Sequence, residues 1–181
     1  MSSSALSRHL LAFLLAFVLP LVLIFAWWGG FRSVSLETGV AGPYRYVYLE
    51  QQGDYSKLPD LAEKVRKELD FQGIQAGMPI TVLFSNPDMV DVGERVGRAG
   101  YLLPEGVQVK APLKVDTISP RPVLKARIQA GSLLAPSKVY AALDAHQQAR
   151  GRGIVMPTVE LYEPADSPLQ MGVLTVEMED R

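Results

Sequence analysis

The pattern of apolar and polar positions divides the chain into two regimes. From Leu10 to Trp28 every position is apolar, a 19-residue run with no charge and one proline, Pro20. At about 1.5 Å per residue such a helix is roughly 28 Å long, close to the hydrocarbon thickness of a bilayer. The Trp27-Trp28 pair falls where an interfacial belt would sit, and Arg8 and Arg32 flank the ends. The run is longer than the apolar core of a signal peptide and ends without a small-x-small cleavage site, so it predicts a single-pass anchor over residues 1–30. The lipid bilayer is then an expected partner through Leu10–Trp28, and the expected location is a membrane. Flanking charges lean towards a cytoplasmic amino terminus with the domain outside.

Beyond residue 30 the periods become those of a globular domain. Leu58, Leu61, Ala62, Val65 and Leu69 recur at three- and four-residue spacing, predicting a helix over Ser56–Leu69. A second helix is expected over Ser137–Ala149, with Ser137 as N-cap and Val139, Tyr140, Leu143 and His146 on the buried side. Alternation and β-branching predict strands over Tyr44–Gln51, Ile80–Ser85, Val123–Ile128, Thr158–Tyr162 and Met171–Met178. Segments such as Gly39–Pro43, Asn86–Gly93 and Gly131–Pro136 carry turn chemistry, and Gly100-Tyr101 is likewise taken as a turn.

One gapless offset of 78 residues relates the two halves. It carries Gln51 onto Gln129, Gly53 onto Gly131, Met78-Pro79 onto Met156-Pro157, Leu83 onto Leu161 and Phe84 onto Tyr162. The same offset superposes the apolar sides of the two helices and makes Val82 the mate of Glu160. The expected fold is α+β: duplicated strand-helix-strand-strand units, with halves at about 44–103 and 122–178, inside a domain of residues 31–181. They would form an antiparallel sheet with helices on one face and a cleft on the other. One difficulty stands: the Tyr44, Tyr46, Tyr48 face aligns with Leu124, Ala126 and Ile128, which have the look of core.

Composition narrows the chemistry. The 181 residues include no cysteine, two histidines, 18 basic and 19 acidic side chains, a net charge of −1. That excludes a disulfide scaffold and thiolate metal sites, and it leaves no cationic surplus for nucleic-acid binding. His9 and His146 form no pair, no phosphate loop follows a strand, and neither cofactor nor metal is expected. Carboxylates and aromatics remain, and Glu160 stands out. In Thr158–Tyr162, alternation turns Val159 and Leu161 to one face, expected to carry the helices, and Thr158, Glu160 and Tyr162 to the other. A carboxylate beside aromatic rings in a cleft attracts cations, whereas one on a solvated face pairs with a cross-strand base.

Gln52-Gly53-Asp54-Tyr55, Leu83-Phe84-Ser85-Asn86-Pro87 with Arg95, and Val159-Glu160-Leu161-Tyr162 together resemble the GyrI-like small-molecule-binding domain, the bacterial effector-binding domain family. The similarity runs from Val34 to Glu179. The anchored arrangement, with Ser85–Val90 and Leu102–Gly106, is similar to a membrane-bound animal branch that serves as a receptor for autophagy of the endoplasmic reticulum. That branch has a long tail carrying its adaptor motif, whereas this sequence stops at Arg181. The resemblance implies duplicated units, a pocket for lipophilic cations around Glu160, and ligand-binding roles for Tyr162, Tyr55, Phe84, Tyr48 and Tyr101. Two other functions stay open: a protein adaptor using loops such as Asn86–Gly93, and a hydrolase of reactive small molecules in which Glu160 is catalytic.

Overall fold

The computed structural model describes residues 12–167 and 169–180. Helical residues run from Ala12 to Trp27, π-wound over Leu14–Val18 and α-helical over α1, Leu19–Trp27. Pro20 has no N–H, so the carbonyl of Ala16 lacks its ordinary partner, and the wider winding lies just before this break. The stretch is roughly 24 Å long at 1.5 Å per residue. No helix among the described residues is long and apolar enough to cross a membrane. Of the expected span from Leu10 to Trp28, Leu10 and Leu11 lie outside the described residues; over the rest the winding changes midway and the helix stops at Trp27.

Eight strands form one antiparallel sheet: β1 Ser35–Ala41, β2 Tyr44–Gln52, β3 Pro79–Leu83, β4 Val96–Leu102, β5 Lys114–Ile118, β6 Arg121–Gln129, β7 Thr158–Glu163 and β8 Val173–Glu179. Their order is β1-β6-β8-β7-β3-β4-β2-β5, symmetric about the central β7–β3 pair. Helices α2, Leu58–Phe71, and α3, Ala135–Gln148, cover one face, α2 over β2 and β4 and α3 over β6 and β8. The helices cover the central pair only in part, through Leu83 against Leu58 and Leu61 of α2 and through Tyr140 of α3, which bonds Thr158 and Glu160. On the opposite face Tyr46, Tyr48, Ile80, Val82, Val159 and Leu161 form a second buried cluster. Curvature explains how a face without helices is dry. Tyr44 on β2 donates to Glu177 on β8 at 2.8 Å, although four strand spacings, about 19 Å in a flat sheet, separate those strands. The sheet therefore rolls its helix-free face inward.

Within each helix the expected period holds. Leu58, Leu61, Val65 and Leu69 of α2 and Ala135, Val139 and Leu143 of α3 are buried. The helix α3 begins two residues before Ser137, because Pro136 fits a first-turn position that needs no N–H. Gln147, rather than His146, completes the buried stripe, donating to the Met178 sulfur at 3.7 Å. The 78-residue offset superposes Leu61, Val65 and Leu69 on Val139, Leu143 and Gln147.

The strands obey a different shift. Leu83 packs with the helices whereas Leu161 lies in the helix-free cluster, so an even offset joins opposite faces. A strand has period two, and one residue of slip reverses every side chain. An offset of 79 between β3 and β7 preserves the faces and superposes Thr81, not Val82, on Glu160. These two are also register partners across the β3–β7 pair. The same parity removes the difficulty of the tyrosine face: Tyr46 and Tyr48 point away from the helices, whereas Leu124, Ala126 and Ile128 point towards α3.

Candidate functional site

Because the helices cover the central strands only in part, a cleft opens between them on the helix face. The expected cleft on the opposite face is corrected: Thr158, Glu160 and Tyr162 share the side of α3, while Val159 and Leu161 face the inward curl. A cavity of about 200 Å³ lies over β3 and β7, with Glu160 and Thr81 on its floor and Tyr162 on one wall. Pro59 at the start of α2 and Pro136 at the start of α3 also line it. Both helix starts thus present a proline ring instead of an N–H, which keeps the wall apolar.

A short hydrogen-bond chain holds the carboxylate. The Tyr140 hydroxyl, from the second turn of α3, donates to Glu160 Oε1 at 2.8 Å and lies 2.9 Å from Thr158 Oγ1. Since the phenol has one hydrogen, the fully buried Thr158 hydroxyl donates to Tyr140, which donates to Glu160. Burial pushes the Glu160 carboxyl above the ordinary glutamate range, and the Tyr140 bond offsets part of that rise. Tyr140 itself is held well above the usual phenol range, first by burial and then by the Glu160 charge. The outcome is a desolvated acid with one oriented donor and an apolar space in front of it. Such a group gains by meeting a cation that brings little water.

The residues expected at the site are only partly gathered. Glu160 and Tyr162 line the cavity. Tyr55 stands behind it on the helix face, its hydroxyl 2.9 Å from the carbonyls of Ser85 and Val96 and accepting from the Ser85 N–H at 3.1 Å. Tyr101 is buried under α2 with Val65 and Leu69. Tyr48 and Phe84 lie on the helix-free side and already hold a cation: the Arg98 guanidinium stands 4.4 Å from the Tyr48 ring centre and 4.8 Å from that of Phe84. Arg98 is further bonded to Glu50 and Asp116, both at 2.7 Å. The expected aromatic pocket is therefore mainly proline and aliphatic, with one tyrosine in the wall and Tyr140 beneath.

A second buried acid escaped sequence reasoning. Glu177 is 1% exposed on the inward-curled face, accepting from Tyr44 with Arg121 at 3.8 Å and Lys125 at 3.9 Å. Burial raises its carboxyl, against which the Tyr44 bond and the two cations act, and Tyr44 is pushed up to about 12 by burial and by Glu177. Glu177 fastens the curl. Among the described residues no group of three or more histidine, aspartate or glutamate side chains could hold a metal ion.

No family model and no curated protein matches the sequence. Solved structures do match. The chain is similar to EcmrR in its DNA complex, with a TM-score of 0.63 at 8% identity, covering 97% of this chain and 69% of that one. It is similar to the EcmrR C-terminal domain, with a TM-score of 0.62 at 10% identity over 81% and 96%. SAV2435 bound to tetraphenylphosphonium gives a TM-score of 0.59 at 12% identity over 81% and 94%. At such identities the likeness shows the fold alone, an α+β arrangement built around an open eight-stranded antiparallel sheet and consistent with the GyrI-like fold.

Proposed function

We propose that the domain is a binding module for a hydrophobic cation, taken between α2 and α3 with its charge against Glu160. One observation carries this: a carboxylate raised by burial faces an apolar cavity and has a single tyrosine donor. The tetraphenylphosphonium held by SAV2435 supports the ligand class. Calorimetric titration of the full chain with tetraphenylphosphonium and with its neutral isostere tetraphenylmethane is the test. Saturable binding of the cation alone is expected, and equal binding of both, or of neither, overturns the proposal. The same raised carboxyl also favours a second reading, in which Glu160 acts as general base or acid in hydrolysis of a reactive small molecule.

The apolar segment belongs to this proposal as a lipid contact. Between Phe13 and Trp28 the large side chains are exposed, Phe17 at 62% and Leu21 at 66% among them. Neutral phosphatidylcholine vesicles should carry the full chain upward in a density gradient. A chain left at the bottom would show that these side chains meet something other than lipid.

A further inference from the structure

Beside the Glu160 cavity lies a second one of about 220 Å³, lined by Trp28, Leu133, Met171 and Gly172 and sharing Ser132 and Tyr162 with the first. Each is smaller than the roughly 300 Å³ at which small-molecule pockets usually begin. No charged residue lines the second cavity. Tyr162 forms the partition, and its place depends on a glycine. A Cβ added at Gly172 would stand 2.4 Å from the Tyr162 hydroxyl oxygen, so the ring lies flush against bare backbone. The far wall is fixed too. The Gly131 N–H donates to the Trp28 carbonyl at 2.9 Å, and Lys138 of α3 donates to the carbonyls of Gly30 and Arg32, both at 2.6 Å.

From this arrangement we propose that the two cavities are one site for an elongated amphiphile, with a cationic head at Glu160 and an alkyl tail passing Tyr162 into the chamber closed by Trp28. The proposal rests on the cation-binding reading above and adds the shape of the ligand. An uncharged, mainly apolar chamber suits a hydrocarbon chain and offers nothing to a second charge. Trp28, though it belongs to the apolar amino-terminal segment, becomes part of the binding wall of the domain.

The sequence holds two tryptophans, Trp27 and Trp28, so Trp27→Phe leaves Trp28 as sole fluorescent reporter. This chain is titrated with alkyltrimethylammonium ions from methyl to octyl, below micelle formation, with the Glu160→Gln form as blank for non-specific partitioning. Affinity is expected to rise about fourfold per methylene until the chamber fills, and Trp28 emission to change only for the longer tails. In Trp28→Ala the tail increment should shrink while tetramethylammonium binding persists. If Glu160→Gln abolishes binding but tail length has no effect and Trp28 stays silent, the two-chamber site is overturned and the cation site survives. If Glu160→Gln changes nothing, the underlying reading fails as well.

Discussion

Replacing Glu160 with glutamine lowers the affinity for tetraphenylphosphonium by about 30-fold, the equivalent of roughly 2 kcal/mol, and at the same time raises the melting temperature at pH 7. Glutamine keeps the shape and the oxygen that accepts from Tyr140, so the Thr158–Tyr140 chain stays closed. What disappears is a charge held in a poorly solvated place. Burial raises the Glu160 carboxyl, so the folded chain binds a proton that the unfolded chain releases. For a group raised in this way, the stability it contributes is fully present below the ordinary glutamate pKa and is lost as pH rises through the folded value. The native chain should therefore melt higher near pH 5 than at pH 7, and the Glu160→Gln form should show a smaller drop between them. Each 1 kcal/mol corresponds to about 2–4 °C in a chain of this size. Glu177, also raised by burial, keeps part of the pH dependence in the variant. Differential scanning calorimetry of both forms across that range checks the stability half and titration calorimetry the binding half. A variant that binds the cation as tightly as the native chain removes Glu160 from the site.

Gly100→Ala has the largest expected cost to the fold. Gly100 lies in the middle of β4, opposite Tyr48 on β2 and Ile80 on β3. A Cβ there would stand 1.8 Å from the Val47 carbonyl oxygen, 2.8 Å from its carbon and 2.9 Å from the Tyr48 Cα. All three are backbone, so no rotamer change relieves the clash, and β2 and β4 must part where their ladder passes between α2 and the inner cluster. Overpacking of this kind costs about 3 kcal/mol or more, enough to lower the melting temperature by roughly 6–12 °C. Alanine at Gly53, where nothing approaches within 4 Å, gives the contrast for added volume alone, although its φ of +127° brings strain of its own. A melting temperature for Gly100→Ala within 2 °C of native would mean that the strands are less tightly joined than their geometry requires.

That glycine also shows where sequence reasoning stops. Gly100-Tyr101 carries the chemistry of a turn, and nothing local distinguishes a glycine that bends the chain from one that lets two strands meet closely. The helices were legible because a 3.6-residue stripe reports burial on one side, and both stripes are where Leu61, Val65, Val139 and Leu143 placed them. The alternation of Thr158–Tyr162 correctly grouped Glu160 with Tyr162, but it could not say which face carries helices. The sheet buries both faces, one under helices and one inside its own curl, so Val159 and Leu161 look like core on either assignment. The same curl hides Glu177, which alternates like a solvated residue and is buried by strands distant in sequence. The offset of 78 succeeded for helices, where a one-residue slip turns a side chain by about 100°, and failed for strands, where it turns it by 180°.

The odd shift that aligns the strands has a geometric consequence. Thr81 and Glu160 are both register partners and counterparts of one another, so the approximate two-fold axis of the domain passes between them. Across that axis Pro59 of α2 is answered by Pro136 of α3, but Ser132, Tyr162 and Leu174 of the wall all come from the second half. The chamber behind Tyr162, closed by Trp28, also lies on that side. One carboxylate, standing where the other half keeps a hydroxyl, gives the same half its charge, so that shape and charge together set which way a guest lies.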